Sequence, residues 1–479
     1  MASTPLLIGG EERVIDASFP VHDPGQAGAI VGHAAAASAD DALDAVAAAH
    51  RAWPAWAARP AAERAAITLA ALEGLDKDAE ERTDLLSREN GKARPEAAID
   101  LAVFTGRFHQ AAEFAPELDS DEQLAGPPFT TTISRLPAGV VTIIYPFNWP
   151  LAILAASLPY ALMSGNAVIV KPPPTAPLSS VRTLQHLVPK LPPGVLNVVT
   201  GADGVLGPVV VGDPRVGHVC FTGSVDAGRR IMTMAAASLT NVTLELGGND
   251  PAIILADADL DEAAFGRMSG ATYMTTGQVC MAIKRLYVPR RRYDEVIDGL
   301  RATLTRTLVG PGLDPATTMG PLNTARQRDY VAGLTREAEA AGAEVLTFGE
   351  YTVDAASGNY LLPSLVLNPA ADLKIVTEEQ FGPSLPVIPY DDEDEAVALA
   401  NQTWSGLCSS VWSADTEHAM TIARQLRTGV TFFNNHNATA VDERAPFGGF
   451  NQSGIGRELG REGLRDFTQT HAMAVPTQG

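Results

Sequence analysis

From about residue 139 onward, short β-branched runs alternate with helix-length segments, and this alternation restricts the fold more than any other feature of the chain. Residues 139–144, 167–170, 195–199, 216–221 and 242–246 read as buried strands, with helices over 151–163 and 178–188 between the first three. Parallel strands joined in this way need right-handed crossovers and a sheet covered on both faces. Ligands then bind beyond the carboxyl ends of the strands. The loops at those ends are Tyr145-Pro146-Phe147-Asn148-Trp149-Pro150, Lys171-Pro172-Pro173-Pro174 and Thr222-Gly223-Ser224. The last opens a helix near Val225, whose free N–H groups and dipole suit a pyrophosphate. No G-x-G-x-x-G is present, so a nucleotide would have to be held without the usual dinucleotide fingerprint.

A second block begins near Asn249. Asp257 is a candidate cap for a helix over 260–276, followed by a strand over 284–289 and a helix over 293–308. After turn-rich residues 310–323, helices are expected over 324–341, 393–401 and 416–427, with strands over 361–366, 385–389 and 407–411. The alanine-rich stretch 34–58 has helical spacing. Residues 130–133 with Arg135, and the tail 467–475, resemble strands without a partner in either block, which predicts subunit contacts there. The expected fold is α/β, with two parallel-sheet domains and a small β segment for oligomerisation. The first domain takes 1–115 and 138–248, the second 249–455, and the oligomerisation segments 116–137 and 456–479.

The formal charge of -21, with no basic run longer than Arg290-Arg291-Arg292, argues against a nucleic-acid partner. The most apolar region, 139–171, is interrupted by Pro146, Asn148, Pro150, Pro159 and Asn166 before it reaches the length of a membrane span. Residues 1–14 lack the basic start and apolar stretch of a secretory signal, so a cytoplasmic protein is expected. Cys220, Cys280 and Cys408 are too dispersed for a disulfide framework or a zinc site, and no metal is expected. Cys220 and Cys408 lie in apolar runs and read as small buried hydrophobes.

Cys280 differs, because Gly277-Gln278-Val279 precede it and Lys284-Arg285 follow. A thiol that attacks a carbonyl needs a thiolate, an open approach and a base for the later water step. Glu245, in Leu244-Glu245-Leu246-Gly247-Gly248-Asn249, is a carboxylate in an apolar setting, where a raised pKa suits a base working near neutrality. Plainer readings stand beside these. Asn148 also fits a turn between prolines, Lys171 a solvated strand end, Ser224 an ordinary helix cap, Glu379 a surface carboxylate and Phe381 a core side chain.

Seven segments occur together in one order and approximate spacing: Pro146-Phe147-Asn148-Trp149-Pro150, Lys171-Pro172, Phe221-Thr222-Gly223-Ser224, Leu244 to Asn249, Gly277-Gln278-Val279-Cys280, Glu379-Gln380-Phe381-Gly382-Pro383 and Pro446-Phe447-Gly448-Gly449. With them the chain resembles the aldehyde dehydrogenase superfamily over nearly its whole length. The resemblance implies NAD(P)-dependent oxidation of an aldehyde to the acid through a Cys280 thiohemiacetal and thioester. In that role Asn148 and the Cys280 N–H steady the oxyanion, and Glu245 activates the hydrolytic water. It implies further that Lys171 binds the adenosine ribose, Gly223 and Ser224 the pyrophosphate, and Glu379 the nicotinamide ribose. Phe381, Phe147 and Trp149 would lie beside the cofactor. Trp149, Ile153, Met281, His436 and Phe447 fall where the family lines its substrate tunnel, and their character favours an aromatic or medium-chain aliphatic aldehyde.

The chain departs from the family at Pro174, where many NAD-preferring members carry a glutamate, so use of NADP as well as NAD is expected. The resemblance implies a homodimer or homotetramer. Three alternatives stay open. One is a coenzyme A-acylating semialdehyde dehydrogenase, although that branch generally lacks the glutamate found here at Glu245. A cofactor-independent thiol esterase would need a histidine base, and no histidine lies in a recognisable nucleophile motif. A non-catalytic relative would have lost Cys280 or Glu245, and both are present.

Overall fold

Five of the β-branched runs become Val140–Ile144, Ala167–Lys171, Leu196–Val198, Val216–Thr222 and Asn241–Glu245, each pair of neighbours parallel. The computed structural model that shows this describes residues 3–477. In space the strands run Leu196–Val198, Ala167–Lys171, Val140–Ile144, Val216–Thr222, Asn241–Glu245. The winding therefore reverses between Val140–Ile144 and Val216–Thr222, and such a reversal opens a crevice at the carboxyl ends. Antiparallel strands Leu6–Ile8 with Glu11–Arg13 close one edge, and Gly454–Ile455 the other.

The helix Pro150–Met163 is apolar on every side, and all its residues except Ile153 are buried. It is sandwiched between this sheet and the helix Arg94–Phe114, which is why amphipathic periodicity is weak in it. The opposite face is covered by the helix Ala39–Ala57, begun by a reciprocal capping box between Ser38 and Asp41. Residues 34–58 thus enter the helix later than their composition suggests, because Ile30–Ala35 pairs antiparallel with Ser18–His22.

The second sheet runs Glu344–Thr347, Ser364–Leu367, Ser384–Tyr390, Ile283–Pro289, Asp250–Ile254, Cys408–Trp412, Val430–Phe433, and every pair except the first is parallel. Only Leu246 to Asn249 separate the end of Asn241–Glu245 from the start of Asp250–Ile254. The carboxyl end of the first sheet therefore abuts the amino end of the second.

The structure corrects several local expectations. Asp261, not Asp257, caps the helix Glu262–Tyr273, its carboxylate accepting from the Ala264 N–H at 2.7 Å. Asp257 instead accepts from Ser413 Oγ at 2.8 Å and the Asp415 N–H at 3.1 Å. The helices expected over 293–308 and 416–427 stop at Leu304 and Ala423, and Leu308–Val309 leaves to pair with Glu350–Tyr351. The strands at 130–133 and 467–475 are not without partners. The first lengthens to Phe129–Pro137, the second falls at Thr468–Pro476, and they pair with each other, with Glu122–Leu124 on the far side. No helix among the described residues is long and apolar enough to cross a membrane.

Candidate active site

Asn148 follows Val140–Ile144 at the winding reversal, and a buried ion pair holds the turn that presents it. Lys92 Nζ lies 2.8 Å from Asp100 Oδ2 and 3.9 Å from the centre of the Trp149 ring. Asp100 Oδ1 accepts from the Ala152 N–H at 2.6 Å, in the first turn of Pro150–Met163, where a negative charge is favoured. Asn148 is buried, and its Nδ2 donates to the Gln278 carbonyl at 2.9 Å. One loop of the first sheet is thereby joined to the segment two residues before Cys280.

That segment is strained. Thr275, Thr276 and Gly277 take φ of 49°, 58° and 72° in succession, which is costly for two β-branched residues. Their hydrogen bonds offset the cost. Glu96 Oε1 accepts from the Thr275 N–H at 2.7 Å, Thr276 Oγ1 donates to Gly320 O at 2.8 Å, and Gln278 Oε1 accepts from the Asn323 N–H at 3.0 Å. A Cβ on Gly277 would lie 2.3 Å from Gly382 O, so this turn rests directly on the loop that carries Glu379 and Phe381. A Cβ on Gly247 would lie 2.2 Å from Glu379 Oε2, and one on Gly248 2.5 Å from Cys280 O. The two glycines let the segment after Glu245 approach both.

Cys280 is half-buried, and no acceptor takes its N–H among the described residues. Burial pushes its thiol pKa up, and the charges of Glu379, Asp250 and Glu245 push the same way. Lys284 opposes them, whereas Arg285, the next residue in the chain, is turned elsewhere. The Arg285 guanidinium is buried and turned to the carbonyls of Asn249 and Ala400, at 2.8 and 3.0 Å. Lys284 donates to Gly277 O at 2.9 Å and stands 5.5 Å from the Phe381 ring centre. Burial lowers its pKa while Glu379 and Asp250 raise it.

Glu245 is buried at the end of Asn241–Glu245, with neither carboxylate oxygen hydrogen-bonded. Burial, then the charge of Glu458, holds its carboxyl well above the ordinary range, and Arg457 acts against them. Glu458 Oε1 accepts from Ser157 Oγ at 2.6 Å and from Cys220 Sγ at 3.2 Å. Cys220 is thus buried as expected but also acts as a donor.

Among residues suited to a dinucleotide, Ser224 is exposed and caps the helix Val225–Ala235, accepting from the Ala227 N–H at 3.3 Å. Gly223 donates its N–H to Glu245 O at 3.0 Å, so its main chain stands beside the carboxyl bearer. Lys171 is buried and ion-paired with Asp203, and Pro174 is half-buried. Glu379 Oε1 accepts from the Gly248 N–H at 3.3 Å, and Phe147 meets Phe381 edge-on at 6.2 Å. A buried ammonium, a helix N-terminus opened by the exposed Ser224 and a carboxylate fit a nicotinamide dinucleotide.

Trp149, Ile153 and Met281 share a cluster with Val279 and Ala282. His436 and Phe447 are both buried. His436 Nδ1 lies 2.8 Å from Ser410 Oγ and its Nε2 3.7 Å from Asp250 Oδ2, and Phe447 exchanges two main-chain hydrogen bonds with Glu458. Sequence reasoning missed Lys92, Glu96, Asp100, Asp250 and Glu458. Glu96 and Asp100 stand four apart on Arg94–Phe114, and two carboxylates on one face of a helix were the available signal.

Two covered parallel sheets joined end to end, with a small β appendage, form the aldehyde dehydrogenase fold. A betaine aldehyde dehydrogenase from Staphylococcus aureus, solved with NAD+, superposes with a TM-score of 0.93 at 30% identity, covering 99% of this chain and 94% of that one. The chain belongs to the aldehyde dehydrogenase family, whose profile matches residues 12–473. Geranial dehydrogenase of Castellaniella defragrans is 38% identical over 368 residues, 76% of each chain. Phenylacetaldehyde dehydrogenase of Pseudomonas fluorescens is 34% identical over 425 residues, 87% of this chain and 84% of that one.

Proposed function

We propose that this chain oxidises a hydrophobic aldehyde, aromatic or medium-chain aliphatic, to its carboxylic acid through a thioester on Cys280. The observation that carries the reading is the convergence at one sheet junction of three groups. These are a half-buried thiol, a carboxamide bonded to its loop, and a buried carboxyl with both oxygens free.

The Cys280 sulfur, once deprotonated, bonds to the aldehyde carbon, and the carbonyl oxygen takes up the electron pair. Asn148 Nδ2 keeps one N–H beyond its bond to Gln278, and the Cys280 N–H is its counterpart, so the oxyanion meets two fixed donors. A nicotinamide dinucleotide bound there would supply the acceptor for the hydride that leaves that carbon. Lys171, Gly223, Ser224 and Glu379 are the residues that would hold it, with Phe147, Trp149 and Phe381 beside it. Glu245 then takes a proton from the water that attacks the thioester, and the acid departs as the thiolate re-forms. Trp149, Ile153 and Met281 form the wall met by the substrate's apolar body, with His436 and Phe447 behind it.

The names of the geranial and phenylacetaldehyde relatives support the apolar substrate class. Three free, dispersed cysteines suit a reducing compartment, the cytoplasm in this reading. The exposed strand Thr468–Pro476 is the surface through which we expect a homodimer or homotetramer to form. Incubation with geranial or phenylacetaldehyde and NAD, without coenzyme A, should yield reduced nicotinamide and the acid in equal amounts. Full activity in Cys280→Ala, or an absolute need for coenzyme A, would sink the reading.

A further inference from the structure

Pro174 offers neither an N–H nor a polar side chain, yet a carboxylate is present at the same edge from another element. Lys171 ends the strand Ala167–Lys171, and Asp203 begins the helix Asp203–Val210 just past the neighbouring parallel strand Leu196–Val198. Their side chains form an ion pair. The partners are unequal, with 2% of the lysine side chain exposed against 78% of the aspartate. Asp203 Oδ1 faces the ammonium, and Oδ2 has no hydrogen-bond partner among the described residues. A ligand arriving at the carboxyl end of these strands therefore meets the carboxylate first and the ammonium beneath it.

We propose that Asp203 selects the adenosine end of the dinucleotide, accepting hydrogen bonds from a ribose that keeps its free 2′-hydroxyl and excluding one that carries a 2′-phosphate. The inference rests on the proposed placement of a nicotinamide dinucleotide with this ribose at Lys171. Charge and donor count decide the selection. A ribose diol brings donors, which a carboxylate accepts, and acceptors, which Lys171 serves. A 2′-phosphate brings only negative charge at neutral pH, and Asp203 cancels the lysine that would attract it. Among the described residues Asp203 is the only charged partner of Lys171, so no second cation is paired there to reverse the balance. This proposal opposes the NADP tolerance expected from Pro174 and assigns a preference for NAD to a residue 29 positions beyond Pro174 in the chain.

The test is direct binding, without aldehyde, of NAD and of NADP to wild type, Asp203→Ser and Asp203→Asn, followed by calorimetry, with thermal unfolding as the control for folding. Asp203 is exposed at a helix start, so both variants should fold. Wild type should bind NAD tighter than NADP by about tenfold to a hundredfold, the range for one charged hydrogen-bonding group. Both substitutions should bring the ratio close to one, chiefly by tightening NADP. Equal affinities in wild type, or a ratio that neither substitution moves, overturns the proposal. A parallel fall for both dinucleotides overturns it too, because Asp203 would then only tether Lys171. If neither dinucleotide binds wild type, the cofactor reading itself fails and takes this one with it.

Discussion

At Cys280 the surroundings work against the thiolate that the proposed chemistry requires. Burial and three carboxylates raise the thiol pKa, and Lys284 is the one group opposing them. Alkylation by iodoacetamide, followed against pH without cofactor, should therefore rise through a midpoint above the ordinary thiol value. Lys284→Met should move that midpoint further up, slowing alkylation at neutral pH about tenfold for every pH unit it climbs, and Asp250→Asn should move it down. A midpoint that ignores both substitutions would show that the network does not reach the sulfur. Asn148→Ala should lower kcat by about a hundredfold to a thousandfold, the usual cost of losing one oxyanion donor. Glu245→Gln should separate the two half-reactions. A burst of reduced nicotinamide equal to the enzyme should survive, while the steady-state rate falls by roughly 10² to 10⁴.

The turn of Thr275, Thr276 and Gly277 is the element that sets this geometry. The preceding helix ends at Tyr273, where Met274 turns extended with ψ of 137°, and the left-handed run then leads to Gln278, whose carbonyl meets Asn148 on the loop of the first sheet. Gly277→Ala forces a Cβ to within 2.3 Å of Gly382 O at a φ of 72°, so the turn must open. The expected result is loss of most activity with destabilisation of about 1–3 kcal/mol, read by kcat and by denaturant titration. Unchanged kinetics would mean that the turn has slack the close contacts do not suggest. Gly247 and Gly248 act likewise for the Glu379 loop and the Cys280 carbonyl.

For the molecule as a whole, buried titratable groups pull stability in opposite directions with pH. Burial raises Glu89 to about 7, although it accepts from the Leu178 and Ser179 N–H groups, and burial lowers His218 to about 4. The raised carboxyl contributes its stability below the unfolded value near 4.5 and loses it as pH climbs to about 7. The lowered histidine contributes above its unfolded value near 6.5 and loses that as pH falls to about 4. Urea denaturation between pH 4.5 and 6.5 should therefore show slopes displaced in opposite senses by Glu89→Gln and His218→Gln. Each displacement should be at most about 1.4 kcal/mol per pH unit, the value for one proton. Displacement in the same sense would contradict a raised carboxyl beside a lowered imidazole. The nine-residue strand Thr468–Pro476 covers Phe129–Pro137 along its whole length, so its deletion bares a second edge. Sedimentation should then report altered assembly or aggregation.

The β-branched runs determined their own strands and the parallel order of the first sheet, because burial on both faces demands continuous apolar runs that are visible locally. Cys280, Glu245 and Asn148 could be singled out for a related reason, since each stands in a short segment of unusual composition. Sequence also marked the gap at Pro174. It could not show Asp203 returning a carboxylate to the same edge, because the two meet only when neighbouring strands align. The direction of Arg285, the mutual pairing of Phe129–Pro137 with Thr468–Pro476, and the carboxylates that surround the thiol were likewise decided by tertiary structure. Each depends on charges or backbone edges brought together from distant parts of the chain, and local pattern carries no information about such meetings.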